Sequence, residues 1–259
     1  MKTEHEFSME EQENIKNVVT DIKQNGIQFV VPRGYQNLPV SVPGSDIDLV
    51  IKTDDFDTAV KVLRKNGFSR AGSPFSRLNS LARDAVQNPK RAKKLLLTNR
   101  GRLYQLLKSA IFKQPQNDEL AAQYSEFKAQ KGDIVFHLMN HLAYKSPHNQ
   151  QKIPVDPVVE KHLHERSEVR DTIPVPSPPD KVAHLVCRGV FDYEGEFPTY
   201  YEKRCDELLQ NIFTDDEMEH QLKELLSRLF FEADDVVMNC LQDRDYDLIK
   251  RKLLRYTGY

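Results

Sequence analysis

Apolar residues return at Ile15, Val18, Val19 and Ile22 and stop at Gly26, which is the spacing of an amphipathic helix. Ser8 and Glu11 ahead of them have the spacing of a capping box. The run IQFVV at 27–31 is aromatic and β-branched and predicts a short buried strand. RGYQNLPVSVPGS, with two prolines and two glycines, predicts a loop. DIDLVI resumes as a strand, and Thr53, Asp54 and Asp55 have the composition of a helix start, with Phe56, Ala59, Val60 and Leu63 turned inward until Gly67. GFSRAG predicts a further short strand, the chain from 75 onward reads as helical, and YSEFKAQKGDIVFHL alternates as a hairpin around Gln130 to Gly132. After SPHNQQKIPVDP the pattern is largely helical, with starts expected at Ser177, Pro178 and Asp180 and again at Thr214 with Glu217. Met218, Leu222, Leu225, Leu226 and Leu229 form the stripe of that last helix.

This order predicts an α+β fold: a small mixed sheet with flanking helices over residues 1–145, a helical basic insertion at about 75–120, and an α-helical domain over 150–259.

Composition narrows the setting. With 39% hydrophobic and 29% charged residues the chain has a globular balance. No apolar run approaches the roughly 18–20 residues of a membrane span, and MKTEHEFSMEEQENIK is too acidic and polar for a signal peptide, so the expected location is cytoplasmic. Cys187, Cys205 and Cys240 are too widely spaced for a paired-cysteine zinc site and are expected to be reduced structural thiols. A formal charge of −2 gives no global argument for nucleic acid, and no nucleic-acid motif stands out. Locally, residues 85–117 hold eight Lys or Arg and no Asp or Glu. The plain reading is a docked helical segment with a solvated basic face. The functional one is attraction of an anionic acceptor, RNA or lipid.

The chemistry concentrates in VPGSDIDLVI. On a strand, Asp46 and Asp48 point to one side while Ile47 and Leu49 point to the other. Two carboxylates this close repel unless a cation or basic group joins them, and hard oxygen ligands favour Mg²⁺ or Mn²⁺. An ion with open positions takes phosphate oxygens, which points to phosphoryl or nucleotidyl chemistry. The plain reading is one aspartate in a turn and the other solvated at a strand end.

FVVPRGY followed by GSDIDLVI resembles the nucleotidyltransferase superfamily that shares the polymerase-β-like catalytic core, over about residues 8–140, and in particular nucleotidyltransferases with a helical C-terminal part. The resemblance implies a two-metal reaction in which Asp46, Asp48 and Asp133 hold Mg²⁺ or Mn²⁺ and a nucleoside monophosphate passes from an NTP donor to a hydroxyl acceptor with release of pyrophosphate. It implies Asp133 as the remote third carboxylate. It also assigns Arg33, Gly34, Tyr35, Gly44 and Ser45 to the nucleotide. The family commonly has Gly-Ser in its first turn where this chain has Gly34-Tyr35, and a guanidinium at Arg33 would stand in for the serine as a phosphate partner.

His137 shares the alternation of Asp133 and Val135, as a proton carrier at the edge of a site or as a hydrogen-bonded structural histidine. His184, Arg188 and Asp192 are spaced by four, which makes one polar face on an otherwise apolar helix, either lining a cleft or tying helices together. Two rivals stand beside nucleotidyl transfer. One is a degenerate, non-catalytic nucleotide- or partner-binding module, kept alive by Tyr35. The other is a D-x-D glycosyltransferase, disfavoured because a larger nucleotide-binding sheet would be expected before the motif.

Overall fold

The structure, a computed structural model, describes residues 4–44, 46–71, 123–145, 151–193 and 197–253. Ser45 and the insertion at about 75–120, with its basic segment 85–117, lie outside the described residues.

The first helix, α1 (Met9–Gln24), starts as the sequence predicts: the Ser8 hydroxyl accepts from the Glu11 amide while the Glu11 carboxylate accepts from the Ser8 amide at 2.9 Å. Ile15, Val18, Val19 and Ile22 are its buried stripe. β1 (Glu4–Glu6) precedes it and pairs antiparallel with β3 (Ser41–Pro43), inside the segment that reads as a loop. The main sheet has five strands: β2 (Phe29–Val30), β4 (Asp46–Ile51), β5 (Ser69–Arg70), β6 (Glu126–Lys131) and β7 (Ile134–Met139), in the order β2-β4-β7-β6-β5. β4 and β7 run parallel and the other pairs antiparallel, so the mixed sheet is as expected. Helix α2 (Phe56–Lys65) follows β4 after a 3₁₀ turn at Thr53–Asp55. Those turn residues do not cap it. The Thr53 hydroxyl donates to the Asn140 carbonyl and the Asp55 carboxylate accepts from the Gln28 amide, which ties the end of β4 to its neighbours.

Past residue 142 the chain is less uniformly helical than its pattern suggests. Two antiparallel hairpins appear, β8 (Ala143–Lys145) with β9 (Lys152–Pro154) and β10 (Glu168–Arg170) with β11 (Ile173–Val175), separated by α3 (Pro157–Glu165). Then come α4 (Pro178–Cys187), a π-helical turn at Arg188–Asp192, α5 (Thr199–Ile212), α6 (Asp216–Phe230), α7 (Asp234–Gln242) and α8 (Tyr246–Leu253). The N-cap of α6 is Asp215, whose carboxylate accepts from the Met218 amide, and not Thr214. At the start of α4, Asp180 receives a forked pair from Arg166 at 3.1 and 3.0 Å, which joins it to the end of α3.

Strand alternation divides the sheet between two cores. Ile47, Leu49, Ile51, Ile134, Phe136 and Leu138 face α1 and α2. Val30, Val50 and Met139 face the helical half, where Leu163, Val186, Tyr201, Leu209 and Leu226 complete the packing. The β10–β11 hairpin crosses back: Ile173 and Val175 belong to the first core, and the Val31 amide donates to the Pro174 carbonyl at 2.8 Å. Asp46 and Asp48 share the face that Val50 turns toward the helices.

Candidate functional site

Parallel pairing sets Asp46 opposite Val135 and Asp48 opposite His137. On the next strand, Lys128 lies opposite His137. The alternation of both strands therefore gathers Asp46, Asp48, His137, Glu126 and Lys128 on one face of the sheet. Their contacts follow. Lys128 Nζ is 2.6 Å from Asp46 Oδ2. His137 Nδ1 is 3.0 Å from Asp48 Oδ1, and its Nε2 is 3.0 Å from Glu126 Oε2. The Tyr124 hydroxyl donates to the same Glu126 oxygen at 2.9 Å. Arg33, from the segment after β2, forms an ion pair with Asp48 Oδ2.

Asp48 is almost fully buried, 4% exposed. Burial by itself would raise its pKa, but the charge of Arg33 and the hydrogen bond from His137 outweigh it and hold the carboxyl well below the ordinary range. Asp48 is thus anionic at any ordinary pH. Burial would likewise lower His137, and its hydrogen bonds to Asp48 and Glu126 overcome that and raise it. Glu126 is brought down to about 2, chiefly by the bond from His137. The imidazole is a cation clamped between two carboxylates.

Arg33 is held by its loop. Gly34 next to it has φ +69°, which favours glycine, and a Cβ there would lie in tight contact, 3.2 Å from Pro43 Cδ. Gly44, leading into β4, is also left-handed at φ +104°. Tyr35 is buried, 6% exposed, with Lys181 Nζ 4.7 Å from its ring centroid. Lys181 Nζ also donates to the Pro32 carbonyl, which ties α4 to the start of the Arg33–Tyr35 loop. Lys181 has no ion pair among the described residues, and burial reinforced by Arg204 and Arg33 pushes its pKa well down.

The polar face anticipated at His184, Arg188 and Asp192 is present and reaches the same place. Arg188 Nε donates to the Tyr201 hydroxyl at 2.9 Å, and its Nη1 is 3.1 Å from Asp192 Oδ2. Arg188 lies close enough to Asp48 and Arg33 for each to feel its charge. His184 Nδ1 is 2.7 Å from the Tyr144 hydroxyl, and its Nε2 is buried with no partner among the described residues.

Asp133 is not brought to the pair. It sits exposed in the β6–β7 turn beside Gly132, where its backbone amide donates to the Glu11 carboxylate of α1, on the opposite side of the sheet. A tight turn ends the alternation that would have aligned it with Val135 and His137. Asp46 and Asp48 provide the anionic oxygen pair that suits a hard divalent ion. Among the described residues, however, no group of three His, Cys, Asp or Glu side chains is placed to hold one. The described side chains do not make the two-ion, three-carboxylate arrangement, and both oxygens of Asp48 already meet cationic partners, Arg33 and His137.

Lys181, Tyr201, Glu126 and Lys128 were not among the predicted site residues. The alternation of SEFKAQK puts Glu126 and Lys128 on one face, but only the register shows which face. Lys181 is three residues before His184 inside an apolar helix, a cation where the stripe calls for a hydrophobe. A separate depression of about 400 Å³, lined by Lys52, Thr53, Glu160 and His164, lies past the C-terminal end of β4. It is roughly 20 Å from Asp46 at a strand rise of about 3.3 Å per residue.

The three cysteines are buried and unpaired, and no helix among the described residues is long and apolar enough to cross a membrane. Comparison with protein-family models, with curated proteins and with solved structures finds no match to this chain.

Proposed function

We propose that the chain transfers a nucleoside monophosphate from an NTP to a hydroxyl acceptor, releasing pyrophosphate, at the face of β4 that carries Asp46 and Asp48. The observation that carries this reading is Asp48 itself: a buried carboxylate kept ionised by its surroundings, on the same face as a second carboxylate that is 21% exposed, where the sheet meets the helical half. A divalent ion held by this pair would supply the charge that neutralises the triphosphate. Arg33 and Arg188 suit phosphate oxygens, because a guanidinium offers a planar fork of donors. His137, cationic between Asp48 and Glu126, fixes the orientation of the Asp48 carboxylate and is a proton donor rather than a base.

The ion pairs Arg33–Asp48 and Lys128–Asp46 favour a second reading, in which the chain neutralises its own carboxylates and binds a nucleotide or partner without catalysis. Thermal stabilisation by an NTP panel separates the two. Transferase chemistry expects a shift that needs Mg²⁺ or Mn²⁺ and disappears in Asp46→Asn and Asp48→Asn. A shift indifferent to the ion and to these substitutions supports the binding module instead.

A further inference from the structure

β4 and β7 are the parallel pair of the main sheet, and their carboxyl ends lie side by side because Val50 pairs with Met139. The space outside the carboxyl ends of neighbouring parallel strands is where an open sheet takes a ligand. β4 ends at Ile51 and β7 at Met139, so Thr53 and His141 emerge together just beyond them. Thr53 Oγ1 is 3.3 Å from His141 Nε2. On the other side of the ring, His141 Nδ1 is 3.3 and 3.2 Å from the two carboxyl oxygens of Glu160, on α3. The Leu142 amide donates to Glu160 Oε2 at 3.0 Å and holds that carboxyl in place.

Exposure increases along this series: the Glu160 side chain is 13% exposed, that of His141 23%, and Thr53 is open to solvent. Thr53 and Glu160 both line the depression of about 400 Å³, together with Gln28, Lys52, Lys161 and His164. That volume is within the range of small-molecule sites. The Thr53 hydroxyl also reaches the Asn140 carbonyl at 3.1 Å, and that bond alone would tie the two strand ends. It leaves unexplained a histidine against the same oxygen, braced from behind by a part-buried carboxyl. Hydroxyl, imidazole and carboxylate in that order, each within hydrogen-bond reach of the next, are the arrangement by which a base activates a nucleophile. Burial raises the Glu160 pKa, while the charge of His141 and the Leu142 amide pull against it. Once ionised, Glu160 can only accept, so Nδ1 keeps its proton and Nε2 is the nitrogen that exchanges one with Thr53.

We infer that Thr53, His141 and Glu160 are a second reactive site, which hydrolyses a small carboxylic ester through Thr53. It does not rest on the nucleotidyl-transfer reading. The Thr53 oxygen bonds to the ester carbonyl carbon while its proton passes to His141 Nε2. The bond from that carbon to the alcohol oxygen then breaks, and the departing oxygen takes the proton. Water attacks the acyl-threonine in the same way, giving its proton to Nε2, and the Thr53 oxygen recovers it as the carboxylic acid leaves. Lys52, next to Thr53 and lining the same depression, offers positive charge to the oxyanion.

The test uses the full chain with p-nitrophenyl acetate, propionate and butyrate. A fluorophosphonate, whose phosphorus the same hydroxyl attacks with loss of fluoride, is the second probe, its adduct located by mass spectrometry. Wild type is expected to hydrolyse at least one ester above the buffer rate and to carry the adduct on Thr53. Thr53→Ala and His141→Gln should lose at least about a hundredfold, the scale of removing a nucleophile or its base, and Glu160→Gln at least about tenfold. Thr53→Ser keeps a hydroxyl and should stay within about tenfold of wild type. That variant and the wild-type adduct keep the test decisive if alanine disturbs the fold. Wild type without ester turnover, wild type without the adduct on Thr53, or turnover within about twofold of wild type in folded Thr53→Ala or His141→Gln overturns the inference.

Discussion

Removing Arg33 tests whether Asp48 depends on it. At a hydrogen-bonded separation of about 3 Å and an effective dielectric of about 20, two unit charges attract by roughly 5 kcal/mol. Arg33→Gln does not lose all of this, because His137 stays 3.0 Å from Asp48 and Arg188 still acts on it, while the desolvation of the guanidinium is recovered. Breaking a buried pair typically costs about 3–5 kcal/mol, and the partial compensation brings the expected loss to about 2–4 kcal/mol. For a chain of this size that is a fall in Tm of roughly 4–8 °C. Asp48→Asn, and the double variant with Arg33→Gln, complete a cycle read by urea denaturation at pH 7. The double variant should be more stable than the sum of the single losses predicts, with a coupling of about 2 kcal/mol. Additivity within about 0.5 kcal/mol would show that Asp48 is not held ionised by Arg33, and the electrostatic account of the site would fall with it.

Three other outcomes are expected. His137 has a raised pKa, so its contribution is complete below its unfolded value near 6.5 and is lost as pH rises through the folded value; Asp48 and Glu126 are lowered, so theirs is present above about 4 and lost on acidification. The urea midpoint should therefore decline from pH 6 to 9, less steeply in Asp48→Asn, and equal slopes would contradict the clamp. Gly34→Ala should cost about 1–3 kcal/mol from its positive φ and the contact with Pro43, and a loss under about 0.5 kcal/mol would show that the Arg33 loop is not so constrained. Gly189→Ala puts a Cβ 2.5 Å from the Phe197 ring and should cost about 1–3 kcal/mol in denaturation. An unchanged urea midpoint would mean that the turn yields freely.

What the sequence discloses here is what is local. The period of Ile15 to Ile22, the capping box at Ser8 and the alternation in DIDLVI each specify an element from a few adjacent residues, and the structure has all three. The β10–β11 hairpin is hidden for a physical reason. Its turn, Asp171-Thr172, takes positive φ at both positions, for which Asn-Gly would be the usual signal, and Glu168, Val169 and Arg170 are all exposed, so no alternation marks the strand. β1 and β3 are three residues each and are defined by partners almost forty positions apart. The candidate site divides in the same way. The aspartate pair on one face follows from alternation alone, whereas the pairing of Asp48 with Arg33 and His137 depends on long-range register. Asp133 shows the limit of extrapolating a period into a turn, since Gly132 at φ +60° ends the strand before the aspartate can join the face.

The central claim is that Asp46 and Asp48 act together on an NTP. Its most direct test is pyrophosphate release from each of the four NTPs with Mg²⁺ or Mn²⁺ and a panel of hydroxyl acceptors, comparing wild type with Asp46→Asn and Asp48→Asn shown to be folded. The account predicts release from at least one NTP, dependent on the ion and reduced at least about a hundredfold in both variants, the scale of losing a group that stabilises transition-state charge. Turnover that survives either substitution, or NTPs that neither bind nor react under any of these conditions, would contradict it.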